Sequence, residues 1–400
     1  MSTTRRPPSR GGGTAEDAAP AGAPAGVGSG APVSVGAGPA PADRGRRTGR
    51  RPGGPRMTLV QGTSRGGRTA TSVAERPVAA EGAEAVDQPG DATADTAAVF
   101  DTMVRRLSKL SLEIRHDAYA DIPWDDPAWA LAADDPRLVL NEADPLATSD
   151  WYQALPLDRQ AEIGLFRMAA CMKTGWHFEN FLQRGLLSRA MVEPDGSAAF
   201  RYLHHEIIEE SQHTLMFQEL VNRSGLTVRG MPLRWRWAAE ASLWWLVHLD
   251  PAAFFLLVLG GEDPADHLQR SMLRSGIGHP LVERIMRIHV TEEARHLSFA
   301  RHYLKRVVPT LGPARRTALA VQAPLLLGVM ARMMLVPPPD LLRHCGVPRS
   351  VVRQAFRTDQ GRAFMSGSVA KTRKLLHEVG LVPRWAAPLW QLMGIGDTDA

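Results

Sequence analysis

Along the first 95 residues the chain carries few large apolar side chains and is rich in Gly, Ala, Pro, Ser and Arg. Such a segment buries too little surface to offset its chain entropy, so 1–95 reads as a disordered tail. From about residue 96 the apolar positions recur at helical spacing. "TAAVFDTMVRRLSKLSLEIRH" reads as an amphipathic helix, followed by an irregular acidic and aromatic loop, "DAYADIPWDDPAWALAADDPR". Long helices are then expected over 156–191, with Pro and Asp near the start, and over 200–225, stopped by Gly225. Further helices follow at about 237–249 and 251–273, then 279–308, closed by Pro309 and Gly312, with two or three more to about 380. No alternating strand pattern interrupts them. The expected fold class is all-α: a ferritin-like, ribonucleotide-reductase-like bundle with additional helices over 96–395.

Two apolar runs need separate treatment. "ASLWWLVHLDPAAFFLLVLGGE" is broken by His248, Asp250 and Pro251, and "TALAVQAPLLLGVMARMM" carries Gln322, Pro324 and Arg332. Neither supplies about 20 clean apolar residues, so both read as buried helices rather than membrane spans. The Trp-rich "RWRWAAEASLWW" is likewise expected to pack inside.

Charge adds one correction. The net charge of the chain is +5. Residues 1–56 hold nine Arg against three acidic residues, or +6, which leaves about −1 for the remainder. The basic character belongs to the tail, and the body shows no excess positive charge of the kind nucleic acid requires. Two cysteines, Cys171 and Cys345, make no disulfide framework and suit a reducing cytoplasm.

The chemistry lies in "EESQH" and "EEARH", which give Glu210-x-x-His213 and Glu293-x-x-His296. A carboxylate and an imidazole at i, i+3 on a helix can reach one ion. Two such motifs plus a Glu from each of two further helices form a dinuclear metal site in a bundle core. Carboxylates bridge and neutralise two cations; an oxygen and imidazole set without thiolate suits iron or manganese. Single motifs carry little weight. Glu113-x-x-His116, beside Lys109 and Asp117, reads as a solvated face. Glu210 and Glu293 instead have apolar neighbours, where unpaired charge is costly. Glu179 and Glu262 sit on similarly apolar faces and complete the order E…ExxH…E…ExxH. His289 precedes Glu293 by one turn and adds a third imidazole. Glu206 and Asp266, each one turn from a candidate ligand, read either as partners that orient an imidazole or as exposed side chains. There is no HExxH and no phosphate-cradling Gly-rich loop.

The set Glu179, Glu210, His213, Glu262, His289, Glu293 and His296 matches E…ExxH…E…HxxxExxH. In this the chain resembles the AurF-type p-aminobenzoate N-oxygenases, non-haem diiron enzymes, over roughly 96–380. The resemblance implies two iron ions, Glu210 and Glu293 bridging them, and Glu179 and Glu262 binding terminally. It also implies O2 as co-substrate, an external electron donor or reductase, and a role in secondary metabolism. The expected reaction carries an aryl amine through hydroxylamine and nitroso stages toward a nitro group. Gly175, Leu182, Phe217 and Leu268, one turn from the ligands, are the expected pocket lining, and no arginine stands out as a carboxylate anchor. A homodimer is left open. The rival readings are another O2-dependent diiron enzyme (C-hydroxylase, desaturase or oxidative cleavage), a ferroxidase or iron-storage bundle, and a helical scaffold with incidental motifs.

Overall fold

The structure, a computed structural model, describes residues 90–276 and 278–396. Up to residue 89 the expected tail lies outside the described residues. Among them every regular element is helical: α1 Gly90–Glu113, α2 Asp150–Gln153, α3 Leu157–Ala190, α4 Ala198–Arg223, α5 Leu233–His248, α6 Pro251–Ser275 and α7 Pro280–Val307. Then come α8 Pro313–Leu335, α9 Pro339–His344, α10 Arg349–Ala355, α11 Asp359–Ser368, α12 Ala370–Glu378 and α13 Ala387–Met393. The all-α expectation holds. The first helix begins at Gly90, ahead of the residue 96 read from periodicity.

Local chemistry sets the ends of the helices that matter most. Ser197 caps α4 by accepting from the Phe200 amide. Asp250 caps α6 in the same way through Ala253, with Pro251 in the first helical position, where its missing N–H costs nothing. Gly276 ends α6 at φ 64, a left-handed conformation that glycine adopts without strain. Pro280 opens α7, and Lys305 and Arg306 face the negative end of its dipole.

α3 packs along α4, α6 packs along α7, and α3–α6 and α4–α7 contacts join the two pairs. Short connections, 191–197 and 276–279, make each pair a helical hairpin. Close approach is permitted by glycine. A Cβ on Gly261 of α6 would lie 2.2 Å from the Phe178 ring of α3, and one on Gly185 of α3 would lie 2.3 Å from Phe254 of α6. Gln183 fixes the α3–α4 register, donating to Thr214 Oγ1 at 2.8 Å and to the Glu210 carbonyl at 3.1 Å.

The apolar core is in two parts. One gathers Phe181 and Leu186 of α3, Tyr202 and Leu203 of α4, Phe254 and Phe255 of α6, and Phe299 of α7. The other gathers Phe166 and Met168 of α3, Met216 and Leu220 of α4, and Ile285 and Ile288 of α7, roofed by Ile122, Trp124 and Leu146 from the segment between α1 and α3. Along α4 and α7 the polar residues described below fall between the two.

Two expectations need correction. The run at 241–262 divides at Asp250 as read, but its first helix, α5, is largely exposed rather than buried. Trp237 and Trp244 are 68% and 64% accessible, and Trp235 and Trp245 are exposed as well, so this stretch does not pack inside. Among the described residues one stretch, Pro313–His344, is long and apolar enough to cross a membrane by length and composition. It is divided between α8 and α9, and α8 packs on α6.

Candidate metal centre

Four helices bring carboxylates and imidazoles to one level. α3 supplies Glu179, α4 supplies Glu210 and His213, α6 supplies Glu262, and α7 supplies His289, Glu293 and His296; each is at most 1% exposed. His296 Nδ1 lies 2.8 Å from Glu210 Oε1 and 3.1 Å from Glu293 Oε1. His213 Nδ1 lies 3.2 Å from Glu210 Oε2 and 3.4 Å from Glu293 Oε1. His289 Nε2 faces Glu179 Oε1 at 3.4 Å and Glu293 Oε1 at 3.7 Å. Two overlapping groups have donor atoms all within 4.8 Å of one another: Glu179, His213, His289 and Glu293, and Glu210, His213, Glu293 and His296. Glu262 lies outside both groups. It lines a small cavity with Glu179 and His289, and its carboxylate repels those of Glu293 and Glu210.

An outer ring of charge, missed in the sequence reading, holds the imidazoles. His296 Nε2 donates to Glu209 Oε2 at 2.7 Å, and His213 Nε2 donates to Glu292 Oε2 at 2.9 Å. The support is crossed: a Glu of α4 holds the His of α7, and a Glu of α7 holds the His of α4. Arg295 pairs with Glu209 at 2.9 Å and approaches Glu292 at 3.8 Å. His116 Nδ1 closes the ring 2.9 Å from Glu292 Oε1. His116 is therefore not on a solvated face, whereas Glu113 is exposed and pairs with Lys109. With each Nε2–H committed outward, Nδ1 of both rings is left pointing at the carboxylate cluster, the tautomer a metal needs.

The expected supporting residues fall differently. Glu206 is 1% exposed and its Oε2 has no hydrogen-bond partner, so it orients no imidazole by a direct bond. Asp266 is also buried, but its carboxylate is taken by Arg270 at 2.6 Å and Lys371 at 3.1 Å, which tie α6 to α12 instead. Gly175 and Phe217 line the small cavity and Leu268 lines a larger one. Leu182 lines neither and belongs to the apolar core beside Phe178 and Phe181.

Electrostatics separate the acids into two kinds. Burial, reinforced by the charges of Glu210 and Glu262, pushes the Glu179 carboxyl well above its usual range; burial with Glu293 and Glu210 does the same to Glu262. Burial raises Glu206 to about 8. Burial also works against ionisation of Glu293, but His296 and a hydrogen bond from His213 outweigh it and bring the group down to about 2. The same balance holds Glu210 well below the usual carboxylate range. Burial favours neutral His213 and His296, yet the surrounding carboxylates prevail and both are raised. His289, buried and facing His213, drops to about 4.

The cluster fits cations. Glu179 Oε2, Glu262 Oε1 and Glu293 Oε2 are buried without hydrogen-bond partners, while Glu210 Oε1 faces the His296 ring. Four carboxylate ligands supply four negative charges, which two divalent ions would offset, and unpaired buried oxygens of this kind are otherwise costly.

A helical bundle with this donor set defines the class: a carboxylate- and histidine-lined metal-binding bundle of the oxygenase type. Within it the chain belongs to the P-aminobenzoate N-oxygenase AurF family, whose profile matches residues 98–380. It is 41% identical over 299 residues to the uncharacterized protein MT0908 of Mycobacterium tuberculosis strain CDC 1551, covering 73% of this chain and 86% of that protein. It is 40% identical over the same length and coverage to the uncharacterized proteins Rv0885 of M. tuberculosis strain H37Rv and Mb0909 of Mycobacterium bovis.

Proposed function

We propose that the protein is an iron-dependent oxygenase that uses O2 to oxidise the nitrogen of an aryl amine. The observation that carries this reading is the buried cluster of four carboxylates and three imidazoles, with carboxylate oxygens left unpaired, in a chain of the AurF family. Glu179, Glu210, His213, Glu262, His289, Glu293 and His296 would hold the two iron ions. When bound, the iron pair supplies O2 activation and accepts electrons from an external donor.

The chain's own residues supply geometry and a dry environment. Glu209 and Glu292 hold the His296 and His213 rings by Nε2–H, so each Nδ1 faces inward. Phe178, Phe217 and Met334 wall the small cavity beside Glu179 and Glu262 and exclude bulk water. Glu206 holds a proton at neutral pH beside the cluster. Amine to hydroxylamine takes one oxygen atom of O2; the other leaves as water with two electrons from the donor and two protons. The free thiols Cys171 and Cys345 fit a reducing compartment.

The test is metal analysis after expression with iron, then incubation with a reductant, an arylamine panel and isotopically labelled O2. The expected result is two irons per chain and label in N-oxygenated product. Absence of bound metal, with Glu293→Ala indistinguishable from wild type, overturns the reading.

A further inference from the structure

Resting on that functional reading, a second feature bears on the substrate. A cavity of about 550 Å3 lies between α3, α6 and α7. It shares Cys171 as a wall with the small inner cavity of about 20 Å3 that Glu179, Glu262 and His289 line. The inner space has room for one water-sized group, while the outer one is large enough for a drug-sized molecule. The inner wall is apolar apart from the carboxylates, His289 and one amide, Gln269. Gln269 is 6% exposed, and its Oε1 is buried with no hydrogen-bond partner. It follows Glu262 by two turns of α6, on the same face, and helix side chains lean toward the N-terminus. Glu262, Ala265 and Gln269 line the same inner cavity. A buried acceptor without a donor is costly, and an N–H on a bound molecule removes that cost.

Positive charge is kept out of the inner space. No Lys or Arg lines it. Of the arginines around the outer cavity, Arg137 is paired with Asp135 at 2.6 Å and Arg167 with Asp144 at 3.3 Å, and Arg274 is exposed at the surface. The outer cavity is also lined by Met168, Leu268, Met272 and Met286, apolar side chains, the methionines among them able to adapt to an apolar guest.

We infer that the substrate is an extended, uncharged arylamine whose amino group donates to Gln269 Oε1 in the inner cavity while its apolar body fills the outer one. A single-ring amine carrying a carboxylate is the poorer ligand, because its anion would have to lie among methionines or reach out to the exposed Arg274, the buried Arg167 being already paired with Asp144.

The probes are 4-aminobiphenyl, biphenyl and 4-aminobenzoate. Equilibrium binding is measured on iron-loaded protein without O2 and repeated on metal-free protein. The expected result is 4-aminobiphenyl binding at least about tenfold tighter than 4-aminobenzoate, the scale of one charge or hydrogen-bond mismatch in a dry site. Gln269→Met should weaken 4-aminobiphenyl about tenfold and leave biphenyl, which has no donor, within about twofold. Attaching a bulky maleimide to Cys171, with Cys345 protected by burial, should abolish binding of both on unmutated protein. Tighter binding of 4-aminobenzoate, lost in Arg274→Ala, overturns the inference, as do equal losses for both biphenyls in Gln269→Met or undisturbed binding to the labelled protein. Because O2 is absent, these results report binding alone. An amine held through Gln269 but returned unoxidised when O2 and reductant are supplied contradicts the reaction and leaves the recognition standing.

Discussion

The outer carboxylates and Glu206 act in different ways. Glu292 and Glu209 reach the cluster only through imidazoles, so their removal should loosen metal binding without deleting a ligand. Glu292→Gln is expected to lower iron affinity about 10- to 100-fold, the usual scale for a residue that orients a metal-bound histidine. Asp266→Asn should leave affinity unchanged, because Asp266 is occupied by Arg270 and Lys371; competition with a chromophoric chelator measures both. Glu206 concerns the metal-free protein. Its carboxyl is raised by burial to about 8, above the ordinary 4.5. Between those values the folded chain binds a proton that the unfolded chain has lost, so its contribution to stability is full below about 4.5 and declines as pH rises toward 8. Metal-free wild type should therefore lose melting temperature from pH 5 to about 8, and Glu206→Gln, neutral throughout, should make that decline shallower, the rest belonging to Glu179 and Glu262, which burial raises as well. An unchanged slope in the variant would mean that Glu206 is not the group responsible.

The donors converge because α3 and α6 come close where Gly261 meets the Phe178 ring. Gly261→Ala would place a Cβ 2.2 Å from that ring, against neighbours that cannot yield cheaply. The expected cost is about 1–3 kcal/mol, the range for overpacking a dense core, read from denaturant unfolding, together with lower iron content as Glu262 moves away from Glu179. Which elements carry the site was legible in the sequence, since caps and breakers such as Asp250, Pro251 and Gly276 are local signals. Glu210, His213, His289, Glu293 and His296, which the structure brings together, were readable because i, i+3 and i, i+4 spacing is a property of one helix, whereas Glu179 and Glu262 offered only their apolar neighbours. What depended on rotation between helices was not. Asp266 sits one turn from Glu262, yet Lys371 from α12 captures it. Leu182 sits a turn past Glu179, but the cavities open toward the other end of α3, and spacing carries no such direction. The crossed Glu209–His296 and Glu292–His213 bonds left one unread trace, the doubled Glu in "EESQH" and "EEARH". α5 misled because an apolar run without clear periodicity does not say whether its tryptophans face inward.

At the scale of the molecule, the polar layer separates two apolar clusters that between them use every long helix of the site. That layer holds Glu179, Glu206, Glu210, Glu262 and Glu293 at no more than 1% exposure, and Glu179, Glu206, Glu262 and Glu293 each keep an oxygen without a hydrogen-bond partner. Without cations the fold meets this cost by keeping Glu179, Glu206 and Glu262 protonated and by charging His213 and His296. Two divalent ions would replace those protons and pull α3, α4, α6 and α7 onto common ligands, so metal binds the folded chain and has no preformed site in the unfolded one. Free metal at 100 times its dissociation constant adds about 2.7 kcal/mol per site, and a chain of this size gains roughly 2–4 °C of melting temperature per kcal/mol. Ferrous iron, or manganese as a redox-silent substitute, is thus expected to raise the melting temperature of metal-free protein by about 5–20 °C for one to two sites. A chelator should reverse the shift, and Glu210→Ala or Glu293→Ala should lose most of it. A melting temperature indifferent to iron, manganese and zinc would mean that the layer is held by its internal ion pairs alone, and the metal reading would fail with it.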